Sequence, residues 1–194
     1  MKKRLILCIG LLAFLLAASA FHAGSNTAPS NPASDINWMS WEEVIEQMTF
    51  KKEKKIFVSI YRDHCGWCKK MENTTFKDPV IVQYINENFL PVKLNLEHPD
   101  PIIFGDKTYK STKADGKIYH ELAAYLTMGN LGAPTSVFLS EDGKVLQPLP
   151  GFKDPIMFEV IMTYYGNNHH VNTPWSMYKE SYVPFAKKQL ISVD

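Results

Sequence analysis

The spacing of apolar side chains changes period several times along the chain, and each change marks an element. In "SWEEVIEQM", Trp41, Val44, Ile45 and Met48 recur at helical spacing, which predicts a helix with one face turned to a core. Ser40 stands at the cap position and Glu43 follows three residues on, the pattern of a capping box. "KKIFVSIYR", residues 54–62, is apolar at Ile56, Phe57, Val58, Ile60 and Tyr61, so on both faces. Such a run predicts a central strand covered by helices on both sides. "CKKMENTTF" reads as helix with Met71 and Phe76 inward, and Asp78-Pro79 opens a second helix through "PVIVQYINENF", with Val80, Val82, Tyr84, Ile85 and Phe89 as its apolar positions. "LPVKLNL" returns to strand character. The alternation of helix and strand predicts an α/β layer architecture.

The second half is less regular at first. Residues 97–117 hold two turn-like pairs, Gly105-Asp106 and Asp115-Gly116, and a small hairpin is expected across the first. "IYHELAAYLTM" is a helix candidate stopped by Gly129-Asn130. "TSVFLS" and "KVLQPL" read as strands joined by "EDGK", and "DPIMFEVIMTYYG" as a closing helix capped by Asp154 with Pro155 at its first position. No internal repeat is visible.

Both ends depart from this pattern. "MKKRLILCIGLLAFLLAASA" has a basic head, an apolar run from Leu5 to Ala18 and small residues at its end, which predicts a secretory signal peptide at 1–20 cleaved after Ala20. That apolar run is short for a membrane span. A retained anchor, or lipidation at Cys8, is the alternative; most of the apolar stretch follows Cys8, which disfavours lipidation. Residues 21–35, rich in Ser, Ala, Asn and Pro, are expected to form a flexible linker before a domain at 36–166. In the extension at 167–194, Thr173-Pro174 is a candidate helix start and Pro184 a breaker. Trp175, Tyr178, Tyr182 and Phe185 are costly to leave in water and are expected to pack on the domain, with a partner-binding surface as the alternative.

Composition narrows the classes. A chain of 194 residues with 45% hydrophobic residues suits one domain of ordinary size. Loss of Lys2, Lys3 and Arg4 with the leader leaves 18 Lys+Arg against 20 Asp+Glu, a net charge of −2, and gives no basic excess for a nucleic-acid partner. Of three cysteines, Cys65 and Cys68 would then remain. One pair closing so small a loop cannot staple a fold, and an exported chain with a single C-x-x-C points to redox work.

The pair lies in "DHCGWCKKM", where the predicted strand hands over to a helix. Free N–H groups of the first turn would favour a thiolate at Cys65, drawing its pKa from ~8.5 towards roughly 3.5–7.5. His64, Lys69 and Lys70 would add to this effect and Asp63 oppose it. Cys68, one turn on and deeper, would resolve the mixed disulfide that Cys65 forms. A zinc site needs about four ligands. No second cysteine pair is present, and His22, His64, His98, His120, His169 and His170 form no H-x3-5-H arrangement. The adjacent His169 and His170 are expected to point apart at the surface. No metal or other cofactor is expected.

Taken together, "CGWC" between strand and helix, "PVKLNLE", "GAPTSVFL", "EDGK" and "PGF" resemble the thioredoxin family over about residues 38–165, more narrowly its exported members with a "CGWCKKM" site. The resemblance implies a thioredoxin-like fold: a central mixed sheet flanked by helices, here with an extra N-terminal helix, an insertion before the cis-proline loop and a C-terminal extension. It implies that Pro134 is cis beside the cysteines and that the backbone of Ala133 pairs with an extended substrate segment, which makes Ala133, Pro134 and Thr135 candidate binding residues. Trp67 stands in place of the family's proline; its indole offers a flat contact for substrate, or packs on a neighbouring loop. Gly66, His64 and Lys93 are candidate supporting residues. The buried acid usual six residues before the first cysteine is Ser59 here, which leaves Lys93 without its accustomed companion. The implied activity is thiol–disulfide exchange on protein thiols and disulfides outside the cytoplasm, with a membrane or exported redox partner. Reduction is favoured; oxidation, isomerisation, or a binding module with a switchable disulfide are the alternatives. Residues 97–117 are expected to contribute to substrate choice.

Overall fold

The structure is a computed structural model and describes residues 35–51, 53–185 and 187. The expected signal peptide, Cys8 and all but the last residue of the expected linker lie outside the described residues. The first element is α1 (Trp41–Phe50), closed at its start by the capping box: Ser40 Oγ accepts from the Glu43 N–H at 3.2 Å, and Glu43 accepts from the Ser40 N–H at 2.8 Å. Then follow β1 (Lys55–Tyr61), α2 (Gly66–Asn73), a 3₁₀ turn at Thr75–Lys77, α3 (Pro79–Asn88) and β2 (Phe89–Asn95). Asp78 caps α3 by accepting from the N–H groups of Val80 and Ile81, with Pro79 at the first position. Two hairpins come next, β3 (Ile102–Phe104) with β4 (Lys107–Tyr109), and β5 (Ser111–Ala114) with β6 (Lys117–His120). The chain continues with α4 (Glu121–Leu126), β7 (Thr135–Leu139), β8 (Val145–Pro150), α5 (Pro155–Gly166), α6 (His169–Asn172) and α7 (Trp175–Ser181).

The sheet runs β2-β1-β7-β8. The β1–β2 pair is parallel, joined through α2 and α3, and the other two pairs are antiparallel. This is the expected mixed sheet, with β1 inside it. Alternation along β1 supplies two cores. Ile56, Val58 and Ile60 face one with Trp41, Val44, Phe104, Leu122 and Leu126; Phe57 faces the other with Met71, Phe76, Ile81, Ile85, Phe138 and Phe158. All but two of these side chains are 5% exposed or less. Phe57 makes ring contacts of 5.4–6.0 Å with Trp38, Phe76, Phe138 and Phe158.

Two expectations are corrected and one is extended. Residues 118–120, assigned to a helix from their spacing, belong to β6, and α4 starts at Glu121. His120 ends the strand and caps the helix, its Nδ1 accepting from the Leu122 N–H at 3.2 Å. The hairpin expected across Gly105-Asp106 is present as β3–β4, and residues 97–117 also hold most of a second hairpin, β5–β6. His169 and His170 do point to different neighbours but are only partly exposed: both are half-buried against aromatic rings, His169 at 4.6 Å from Tyr178 and His170 at 5.3 Å from Tyr165. Beyond Gly166, Tyr178 is buried and donates to Thr163 Oγ1 at 2.9 Å, while Glu159, buried on α5, accepts from Tyr182 Oη at 2.8 Å and from the Phe185 N–H at 2.6 Å.

The sheet register separates the two hairpins. Thr135 pairs with Ile60 near the cysteines, and Leu139 pairs with Ile56 at the far end, so the β7–β8 turn lies away from Cys65. The β3–β4 turn reaches that far end: Phe104, Gly105 and Asp106 line a cavity with Ile45, Met48, Glu141 and Asp142. The foot of the second hairpin is at the other end, where the His120 N–H donates to the Leu96 carbonyl at 2.7 Å, just past the β2 residue opposite Tyr61.

Candidate functional site

Strand β1 ends at Tyr61, and the chain turns through Asp63 and His64 before entering α2. His64 takes a left-handed conformation, with φ 59°, and Asp63 accepts from Asn95 Nδ2 at 3.2 Å. This turn leaves Cys65 as the cap of α2. Its Sγ accepts from the Cys68 N–H at 3.1 Å, and its carbonyl accepts from the Lys69 N–H at 3.1 Å. The two cysteines are joined as a disulfide. Cys65 is half-buried and Cys68 is buried, the asymmetry expected of an attacking and a resolving sulfur. A sulfur at this cap faces free N–H groups and the positive end of the helix dipole.

The second wall comes from the loop before β7. The Ala133–Pro134 bond is cis. The Ala133 carbonyl oxygen lies 3.7 Å from Cys65 Sγ. Pro134 is buried, and its carbonyl accepts from the Gly151 N–H at 2.8 Å. Thr135 is buried too, and its hydroxyl donates to the Gly132 carbonyl at 2.8 Å, so this side chain holds the loop in shape. Gly66 has open space around its Cα. Trp67 is 59% exposed and packs on Phe152, ring centroids 5.5 Å apart. Packing on a neighbouring loop, one of the two readings of Trp67, is what the structure shows, with more than half of the side chain still exposed.

Lys93 is on β2 directly opposite Ser59, and both belong to the sheet face covered by α2. Ser59 is buried. The Lys93 ammonium pairs with Glu72 of α2 at 2.6 Å and lies over the rings of Trp38 and Tyr61, at 5.0 and 5.9 Å. Sequence reasoning missed Glu72. It follows Cys68 by four residues, one helical turn on, which was the signal that could have found it. Burial, with the charges of Asp63 and Glu72, raises the Tyr61 pKa. Among the described residues no cluster of His, Cys, Asp or Glu is arranged to hold a metal ion, and no helix is long and apolar enough to cross a membrane.

Comparison with known proteins agrees with this geometry. Residues 26–154 match Thioredox_DsbH, described as "Protein of unknown function, DUF255". Among curated proteins, the chain is 31% identical to spermatogenesis-associated protein 20 of Rattus norvegicus over 74 residues, covering 38% of this chain and 9% of that protein. It is 27% identical to the thiol:disulfide interchange protein DsbD of Haemophilus ducreyi over 141 residues, 72% of this chain and 21% of that one. The chain thus spans a small part of the curated relatives it matches. Among solved structures, a thioredoxin-fold protein from Helicobacter pylori superposes with a TM-score of 0.50 at 17% identity, over 71% of this chain and 94% of that one, a likeness of fold. With more than half of its length matched and a mixed sheet that sets a C-x-x-C disulfide beside a cis-proline loop, the chain is a thioredoxin-fold protein that belongs to the Thioredox_DsbH (DUF255) family.

Proposed function

We propose that this protein is a thiol–disulfide oxidoreductase acting on protein disulfides outside the cytoplasm, working as a reductase. The observation that carries the reading is the cap of α2: a half-buried Cys65 bonded to a buried Cys68, beside the Ala133 carbonyl. In the reduced protein, the Cys65 thiolate attacks one sulfur of a substrate disulfide. The substrate S–S bond breaks, a mixed disulfide forms, and the first substrate thiolate leaves and takes up a proton. Cys68, on losing its proton, attacks Cys65 Sγ; the mixed disulfide breaks and the second substrate thiolate leaves. Two electrons pass from the Cys65–Cys68 dithiol to the substrate, and an external dithiol partner must restore them. Glu72, one turn beyond Cys68 and held by Lys93, is the carboxylate we assign to receive the Cys68 proton in place of the acid absent at Ser59. Ala133, Pro134 and Trp67 border the place where the substrate segment lies. Export rests on the leader expected at residues 1–20, and similarity to a thiol:disulfide interchange protein supports the exchange chemistry.

The test is reduction of insulin by the wild type, Cys65→Ser and Cys68→Ser, together with the redox potential of the pair. Cysteine-dependent reduction is expected, with a mixed disulfide trapped on Cys68→Ser. No cysteine-dependent activity, with a potential below about −300 mV, makes the pair an inert staple and overturns the proposal.

A further inference from the structure

Beside Cys65 the surface carries an aromatic shelf with a cation on it. Trp67 and Lys70 are three residues apart on α2 and share a face. Phe152, from the segment between β8 and α5, completes the group. The Lys70 ammonium lies 5.0 Å from the Trp67 ring centroid and 5.0 Å from that of Phe152. The shelf is fixed from below. The Gly151 N–H donates to the Pro134 carbonyl at 2.8 Å, and the Lys153 carbonyl accepts from Thr75 Oγ1 at 2.6 Å, so the residues on either side of Phe152 are tied to the cis-proline loop and to the turn after α2. Its charge is open to a ligand. Lys70 is exposed, and no carboxylate among the described residues pairs with it. The neighbouring Lys153 is differently placed: its ammonium is used internally, donating to the carbonyls of Pro150 and Gly151 at 2.6 and 2.9 Å. The nearby acids are also engaged, Glu72 by Lys93 and Asp63 by Asn95.

We infer that Lys70, held on Trp67 and Phe152, is a specificity-determining residue that selects protein disulfides carrying a carboxylate within two residues of the attacked cysteine. The inference rests on the exchange reading above. An extended segment aligned on the Ala133 backbone passes the shelf, its side chains reaching the flat rings and its carboxylate the ammonium. The partner class is an acidic, extended disulfide-bearing segment.

The test uses the reduced full-length protein and disulfide-linked homodimers of the capped peptides Gly-Glu-Cys-Glu-Gly and Gly-Lys-Cys-Lys-Gly, with 2-hydroxyethyl disulfide as a neutral probe. The readout is the ratio of second-order rate constants for the Glu and Lys peptides within each protein, so a general change in reactivity cancels. The wild type is expected to favour the Glu peptide about fivefold at low ionic strength, the effect of one unit-charge contact near 4 Å in water. The ratio falls as salt is added. Lys70→Gln is expected to bring the ratio close to one, and Lys70→Glu to reverse it. Equal ratios in all three proteins, with the wild type reacting with the neutral probe, overturn the inference and leave the exchange reading standing. Failure of the wild type to react with the neutral probe overturns the exchange reading and this inference with it.

Discussion

His120 offers a prediction with a defined sign. Its ring is fully buried, and both nitrogens are engaged: Nε2 lies 3.1 Å from the Asp100 carbonyl, and Nδ1 accepts from the Leu122 N–H at 3.2 Å. The first contact requires a proton on Nε2, the second a bare Nδ1, so the native ring is neutral in one tautomer. A second proton would face the Leu122 N–H and remove the cap of α4. The ionisable groups set against the ring are His98, with centroids 5.7 Å apart, and Glu121 in the first turn of α4. Burial, helped by His98, lowers the His120 pKa, while the Asp100 carbonyl and Glu121 pull it back in part. The unfolded chain therefore binds the proton more readily. This contribution to stability is complete above the unfolded value of about 6.5, is lost progressively as pH falls below it, and levels off below the folded pKa. His120→Ala removes the cap, about 1 kcal/mol, and empties a fully buried ring site, for a total near 3 kcal/mol at pH 8. His120→Asn keeps a capping oxygen and should cost about half as much, while deleting the acid-side loss. Urea titrations from pH 5 to 8, followed by tryptophan fluorescence, give both quantities. If His120→Asn retains the full acid-side loss of the wild type, or if the His120 ring titrates by NMR at or above 6.5, the assigned tautomer and its coupling to α4 are wrong.

Two further predictions follow from close contacts. Gly143 has φ 80°, and a methyl group there would stand 2.6 Å from Met48 Cε and 3.2 Å from Phe104 Cζ. Gly143→Ala should cost about 2 kcal/mol, part backbone strain and part overpacking; adding Met48→Ala should relieve only the second part, and a double-mutant cycle in urea showing no coupling would refute the contact. Glu72→Gln should change stability by less than about 1 kcal/mol, because the pair with Lys93 is about one-third exposed on each side. It should instead slow resolution of the mixed disulfide about tenfold or more in stopped-flow measurements, and an unchanged resolution rate would remove Glu72 from the proton path.

The parts of this protein that were legible in the sequence are those whose partners lie close along the chain. The box at Ser40 and Glu43, the caps at Asp78 and Asp154 and the Cys65 cap each close within three residues, so a short string of letters specifies both members. The apolar run of β1 announced a strand with a core on each side for a similar reason, since alternate residues must face opposite ways. Residues 118–120 were misread because Ile118, Tyr119 and His120 suit either period over so short a span, and only pairing with Ser111–Lys113 decides for strand. The same limit applies at the site. Ser59 without an acid looked like a loss, and Lys93 like a residue without a companion, until the β1–β2 register put them opposite each other and α2 carried Glu72 over the same face. Phe152 and Trp67 are 85 residues apart in sequence, and their contact needs the Gly151–Pro134 hydrogen bond to bring the β8–α5 segment under the indole. The cysteine pair is thus a local signal and Pro134 was marked by the family resemblance, whereas the contacts of Glu72, Lys70 and Phe152, for which we propose roles in proton transfer and substrate choice, are completed only when the sheet closes. On the proposed roles, changes at Glu72, Lys70 or Phe152 are expected to alter the chemistry of the pair while leaving the C-x-x-C and Gly132–Thr135 stretches that mark it intact.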